Sequence, residues 1–269
     1  MKKGSKIRLA DWGTLRKLLA SSSYCIEVVD ARNPVGTRSG RLERMCESLG
    51  VELIIAVNKI DLVPQDIVWG WVRGLEERTG FTVLPISARH RIGTLRLRKR
   101  LRKLSPQGTG VVVGMVAGVP KTGKSTLINV LRGKHGASTS PVPGSPGYTK
   151  GFTLYRVEGR IYLYDTPGVV PDAMDPLERI IRLYPPEHLP DPLETAVRLI
   201  KRVLEHNPTA FIEAYGIEEE DPYKLLEKLA LSRGWVEKRS GDPMVEQAAV
   251  TVIRDYHEGK IRFYIPPPW

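Results

Sequence analysis

"AVNKID" occupies positions 56–61 and "GVPKTGKST" positions 118–126. The order of these two stretches decides the fold. The second fits G-x-x-x-x-G-K-[ST] through Gly118, Gly123, Lys124 and Ser125. An apolar strand pattern (110–118) precedes it and a helical pattern, "STLINVLRG", follows. That context makes it a phosphate loop: glycines turn backbone N–H groups inward, and the helix N-terminus favours an anion. Gly118, Pro120, Lys121, Thr122, Gly123, Lys124, Ser125 and Thr126 are expected around the phosphates. Lys124 is expected to reach the β- and γ-phosphates, and the Ser125 hydroxyl to ligate Mg²⁺.

The first stretch is N-K-x-D, a weak signal by itself. It gains weight by ending an apolar strand (51–57), at the carboxyl edge where open α/β sheets bind ligands. Asp61 can accept two hydrogen bonds, from guanine N1–H and from the 2-amino group. Asn58 is expected to brace the surrounding loops and the Lys59 stem to lie over the ring. "ISAR" (86–89) ends the next strand, and its Ser87–Ala88 backbone can meet guanine O6. An adenine would leave the Asp61 carboxylate unpaired, so such a site discriminates strongly.

Two further elements follow the phosphate loop. "YDTPG" (164–168) ends a strand and offers Asp165 for a second, water-mediated Mg²⁺ contact. Gly168 can bring its N–H near a γ-phosphate. Thr149 in "SPGYTKG" (145–151) is expected to close onto Mg²⁺ and γ-phosphate. The metal set is then Ser125, Thr149 and Asp165; Lys124, Thr149 and Gly168 act on the transferred phosphoryl group. Guanine-nucleotide enzymes normally begin with the phosphate loop. Here the order is base, base, phosphate, switch, switch: a rotation of the usual order, tolerable where the old termini lie close together.

Apolar runs at 24–30, 51–58, 81–87 and 110–118 read as buried parallel strands, and 152–157 with 161–166 as a hairpin. Helical patterns at 38–49, 65–79, 94–104 and 123–133 alternate with them. The fold class is α/β: a P-loop GTPase domain in permuted order over 1–170. A small α-helical domain over 171–269 follows, with helices near 192–205, 209–215, 221–231 and 243–258 and an extended, proline-rich tail.

Of the 269 residues, Lys and Arg exceed Asp and Glu by 11. Residues 1–169 hold 28 basic against 12 acidic side chains, and 170–269 hold 13 against 18. A positive field over the first part favours a polyanionic partner, most often nucleic acid. The densest basic run, "HRIGTLRLRKRLRKL" (90–104), spaces Leu97, Leu101 and Leu104 along one helix face. Arg96, Arg98, Lys99, Arg100, Arg102 and Lys103 are then expected outward, towards RNA phosphates or simply solvent. Cys25 and Cys46 read as buried thiols rather than a disulfide. With no apolar run of the roughly 18–20 residues a membrane span needs, they predict a cytoplasmic protein without membrane attachment.

These motifs, together with "DARNP" (30–34) and "GDPMVEQAAVTVIRDYHEGKIRFY" (241–264), resemble the circularly permuted ribosome-assembly GTPases of the YlqF/RbgA type. The resemblance covers most of the chain. It implies GTP hydrolysis to GDP coupled to maturation of the large ribosomal subunit, with its rRNA as the surface contacted and no DNA. The C-terminal domain would contact RNA or the ribosome. Two features depart from it, and a third is shared with it. No His precedes residue 90, so a catalytic His proposed near the N-terminus of the bacterial branch is not carried over. Lys121 stands where the family's phosphate loop has an Asn associated with K⁺, which leaves K⁺ open as a cofactor. Val169 follows "DTPG" where many signalling GTPases carry a water-positioning Gln, so intrinsic turnover is expected to be slow. Two rivals stay open: an rRNA-binding factor using GTP only as a docking switch, and a signalling GTPase with a protein partner.

Overall fold

The computed structural model describes residues 7, 9–104, 110–133 and 152–269. They form two compact units, one made of those within 9–174 with Pro266–Trp269, the other of Ile7 with Asp175–Ile265.

The larger unit is built on a six-stranded sheet of order β3-β2-β1-β4-β6-β5. Its strands are β1 (Tyr24–Asp30), β2 (Glu52–Asn58), β3 (Thr82–Pro85), β4 (Val112–Ala117), β5 (Thr153–Glu158) and β6 (Ile161–Asp165). All neighbours are parallel except the β5–β6 hairpin. The chain builds outward one way through β1, β2 and β3, then the other way through β4, β6 and β5. The topological switch point therefore lies between β1 and β4, where such sheets open a ligand crevice.

Strand β1 is buried along its whole length, and its two faces meet different partners because side chains alternate. Tyr24, Ile26 and Val28 join a core with Leu97 and Leu101 of α5 (Thr94–Leu104) and Leu127 and Leu131 of α6 (Lys124–Arg132). Cys25 and Glu27 point the other way, towards α3 (Gly40–Leu49). There the Cys25 thiol is hydrogen-bonded to Cys46, and that contact, with burial second, raises its pKa. The Ser39 N–H donates to Glu27 Oε1 at 2.6 Å. Both cysteines are free and buried. The same face receives α4 (Gln65–Thr79) against β3, and α1 (Trp12–Ala20) against α3. A short helix, α2 (Pro34–Thr37), follows β1, capped by Asn33.

Helix α5 is less outward than its sequence suggests. Arg98 donates to the Val130 and Leu131 carbonyls at 2.8 and 2.7 Å, closing the end of α6. Arg100 pairs with Glu52, and Arg102 with Glu158. Three of the six basic side chains expected to face outward thus hold the unit together.

The smaller unit contains α7 (Pro176–Leu183), α8 (Pro192–His206), α9 (Ala210–Tyr215), α10 (Pro222–Ser232) and α11 (Val245–Glu258), with no strand among its described residues. Three helices start alike. Asp175, Asp191 and Asp221 each accept a hydrogen bond from the N–H three residues on, with Pro at the first helical position. An acceptor before the first turn and a preset φ within it make Asp-Pro a start signal. Leu199, Ile200, Phe211, Leu226, Leu229, Val252 and Tyr256 fill the core between them.

The last four residues pack on α4. A Cβ at Gly74 would lie 1.8 Å from Trp269 Nε1, and one at Gly70 would lie 2.9 Å from Pro267 Cγ. The Trp269 ring meets Trp71 edge-on at 5.1 Å and carries the Arg78 guanidinium at 4.2 Å. Trp269→Ala is expected to lower stability by about 2 kcal/mol. Gly74→Ala expels the ring but gains about 1 kcal/mol of helix propensity. Its sign should therefore invert: destabilising in the natural chain, stabilising once Trp269 is Ala. Thermal melts of the four variants check this; equal losses in both backgrounds would mean the ring is not seated there.

Candidate functional site

The carboxyl edge of the sheet brings the motifs together. Asn58 ends β2, is buried, and ties three loops. Its Nδ2 donates to the Thr122 carbonyl at 2.8 Å, in the phosphate loop. Its Oδ1 accepts the Ala88 N–H at 2.9 Å, in the Ser87–Ala88 turn. The bracing expected of Asn58 is thus present, although 64 residues separate it from Thr122. Gly123 sits beside it with φ 104°, where a Cβ would fall 2.2 Å from Asn58 Nδ2. Gly118 has φ 138°, and a Cβ there would strike the Val28 carbonyl at 2.4 Å. Both positions combine a backbone that L side chains rarely adopt with a lack of room.

Asp61 lies in a single 3-10 turn, Ile60–Leu62, entered through Lys59 in the left-handed region. Its carboxylate is mostly shielded and lies 3.5 Å from His90 Nε2. The Ser87 and Ala88 N–H groups are both engaged internally, by the Ile92 carbonyl at 3.0 Å and by Asn58. A base O6 at this turn has to share the Ala88 N–H with Asn58 or use the following N–H, that of Arg89.

The phosphate loop is folded on itself. Lys124 is buried, and its ammonium donates to the Gly118 and Val119 carbonyls at 2.9 and 3.0 Å. The Thr122 hydroxyl donates to the Val119 carbonyl at 2.9 Å. Lys121 adopts φ 63°. Ser125 and Thr126 open the following helix and are exposed. Asp165 ends β6 and is hydrogen-bonded to Ser125, with the Lys124 charge close by. The strand order β4–β6 thus joins two residues 40 positions apart in the chain. Gly168 contacts Pro120, since a Cβ there would lie 2.5 Å from Pro120 Cγ. The Gly168 carbonyl accepts the Ala10 N–H at 2.9 Å, and Val169 donates to the Gly118 carbonyl at 3.1 Å. Thr149 and its stretch 145–151 lie outside the described residues.

Ser125 and Asp165 make a small set of hard oxygen donors, and no cluster of three His, Cys, Asp or Glu occurs among the described residues. Mg²⁺ suits such a set, because it keeps waters and takes its remaining ligands from phosphates. Burial raises the Asp165 pKa, while the Lys124 charge and the Ser125 hydrogen bond oppose the shift. A raised pKa means that ionisation works against the nucleotide-free fold. The stability carried by the protonated carboxyl is full below the ordinary value of 3.8 and is lost as pH rises through the raised one. Asp165→Asn is therefore expected to raise the melting temperature of the nucleotide-free protein at pH 7. The same change should lower affinity for Mg²⁺–GTP at least tenfold. A lower melting temperature would contradict this.

Two charged residues at this edge were not assigned a role from sequence. Asp30 ends β1, and its carboxylate takes the Arg32 guanidinium through two bonds at 3.0 and 2.9 Å, both side chains wholly buried. The Lys59 ammonium reaches the same carboxylate at 2.8 Å. The signal was "DARNP" ending a strand beside the strand of "NKID".

The chain is similar to known proteins. A family model described as RsgA GTPase matches residues 13–172. Nucleolar GTP-binding protein 2 of Neurospora crassa is 34% identical over 99% of this chain, which spans 43% of that protein. An uncharacterized GTP-binding protein of Methanocaldococcus jannaschii is 33% identical over 93% of this chain, which spans 65% of it. The chain therefore covers less than two thirds of either relative. Among solved structures, GNP-bound YlqF from T. maritima superposes with a TM-score of 0.64 at 25% identity, over 94% of this chain and 95% of that one. Its GDP-bound form gives 0.63.

One expectation falls here. A cytoplasmic location was argued from two reduced thiols, but relatives matching 99% of the chain are named nucleolar GTP-binding protein 2 and nuclear/nucleolar GTPase 2. Buried free thiols suit any reducing compartment, the nucleus included, so they could not separate the two. None of the described helices is long and apolar enough to cross a membrane. The family model, the motif order and the sheet agree, and the chain belongs to the RsgA GTPase family, as a circularly permuted GTPase of the YlqF type.

Proposed function

We propose that this chain hydrolyses GTP to GDP and phosphate with Mg²⁺ and acts as an assembly factor for the large ribosomal subunit, which stimulates it. Asn58, Lys59, Asp61 and the Ser87–Ala88 turn read guanine. Lys124, Ser125 and Asp165 hold phosphate and metal, with Gly168 facing the γ-phosphate and Thr149 closing over it. Ser125 and Asp165 would hold Mg²⁺, which would supply positive charge to offset that of the phosphates. The side chains orient the nucleotide around it.

The observation that carries stimulation in trans is Val169. It is 1% exposed and bonded by its N–H to the phosphate loop, at the position where a water-orienting side chain would stand. An apolar, buried side chain cannot polarise water, and this supports a water-orienting group supplied by a partner. The partner's chemistry is supported by the positive field of residues 1–169 and by exposed Arg89, Arg91, Arg96, Lys99 and Lys103. The nucleolar names of the relatives point to the compartment where ribosomal RNA is made.

Co-sedimentation tests the reading. With a non-hydrolysable GTP analogue the chain should pellet with large subunits and not with small ones. Neutralising five phosphates gives a log–log salt slope of roughly −4. Salt-insensitive association with neither subunit would favour a protein partner instead. Lys121 places a fixed positive charge where the family has a K⁺-associated Asn. Turnover is therefore expected to differ less than twofold between K⁺ and Na⁺ buffers, and a strong K⁺ requirement would contradict that role for Lys121.

A further inference from the structure

We infer that Asp30 is a positioning residue for guanine recognition, holding the Lys59 ammonium so that its stem is preset across the base site. The inference rests on the reading of Lys59 as the residue over the guanine ring.

Both oxygens of the Asp30 carboxylate are held. Oδ1 accepts the Arg32 N–H at 3.2 Å and Arg32 Nε at 3.0 Å. Oδ2 accepts Arg32 Nη2 at 2.9 Å and Lys59 Nζ at 2.8 Å. The Asp30 N–H is itself held by the Thr37 hydroxyl at 2.9 Å. Arg32 alone already satisfies a buried carboxylate, through a bidentate pair. The second cation is not needed for that. It comes from the base-reading loop of the neighbouring strand, where Asp30 pairs with Asn58 in register.

The geometry explains what Lys59 gains. Lys59 has φ 68°, an uncommon backbone for a residue with a Cβ, so its side chain leaves the loop in a set direction. A lysine stem is otherwise long and mobile, and ordering it on binding weakens affinity. Anchoring both ends, the backbone in the left-handed region and the ammonium on Asp30, removes most of that freedom before the nucleotide arrives. The two bonds from Arg32 hold the Asp30 carboxylate in place whether or not Lys59 is present.

A fluorescent GDP titrated against four proteins tests the inference: the natural chain, Asp30→Asn, Lys59→Met and the double variant. Each single change should weaken binding about five- to tenfold. The double variant should match Lys59→Met within about twofold, because Asp30 acts through Lys59. If Asp30→Asn binds like the natural chain, or costs the same again in the Lys59→Met background, Asp30 is not a positioning residue. Asp30→Asn could fail to fold, since it weakens the bidentate pair that holds buried Arg32. Lys59→Met against Lys59→Ala then decides, because the Asp30–Arg32 pair stays intact. Met keeps the stem and loses the tether, so it should lose most of what Ala loses; Met binding like the natural chain overturns the proposal. A Lys59→Ala variant with natural affinity would instead overturn the reading of Lys59 itself.

Discussion

Asp61→Asn should lower GTP affinity by about 10²–10³-fold and raise affinity for xanthosine triphosphate. The carboxylate offers two acceptors to two guanine donors, N1–H and the 2-amino group. Charge-assisted bonds of this kind contribute about 1.5–3 kcal/mol each. An amide keeps one acceptor and turns an NH₂ towards the guanine amino group, donor against donor. Xanthine carries a carbonyl there, which accepts from that NH₂. His90 Nε2 lies 3.5 Å from Asp61 Oδ2, beside the carboxylate that would meet the base. Competitive binding of GTP, XTP and ATP reads the effect. A variant that loses all three equally would mean that Asp61 holds the loop rather than the base.

Lys124→Ala should reduce GTP turnover by about 10²–10³-fold, while GDP affinity falls far less. Without a phosphate, the ammonium is satisfied by the Gly118 and Val119 carbonyls. Those bonds keep the loop closed around the place where the phosphates would lie. During transfer, charge spreads over the γ-phosphoryl oxygens and the leaving oxygen, and a fixed cation there stabilises the transition state more than the ground state. Losing one such donor typically costs about 3–4 kcal/mol in turnover. GDP lacks the γ group, so its binding is less sensitive. Lys124→Arg is not expected to rescue, because Lys124 is 8% exposed and a planar guanidinium does not fit the same two carbonyls. Single-turnover hydrolysis beside GDP titration separates the two effects; equal losses in both would assign Lys124 to binding alone.

Residues close together in sequence were the legible part of the site. The phosphate loop carries its own context, a strand before and a helix after, and so do "NKID" and "YDTPG". Their order implied a permuted sheet, and β4 does lie at the centre beside both β1 and β6. Contacts across strands were not legible. Nothing in "DARNP" says that Lys59, 29 residues on, will share the Asp30 carboxylate. Nor does the basic run at 94–104 announce Glu52 and Glu158, 48 and 56 residues away, which neutralise part of it. Of the three helices that went unread, two were missed for a different reason. Pro176 reads as a break unless Asp175 before it is seen as the cap, and α1 is only nine residues long, with Asp11 as its cap. The seat of Trp269 did leave a trace. Gly70 and Gly74 are one helical turn apart, a pattern that opens a groove on one face of a helix.

The measurement that tests the account most directly is GTP turnover by the purified chain alone, with large ribosomal subunits, and with small subunits. With Val169 buried where a water-orienting group is needed, turnover alone should be slow, and large subunits should raise it at least tenfold while small subunits do not. Equal, slow turnover in all three would contradict a GTPase completed by the large subunit.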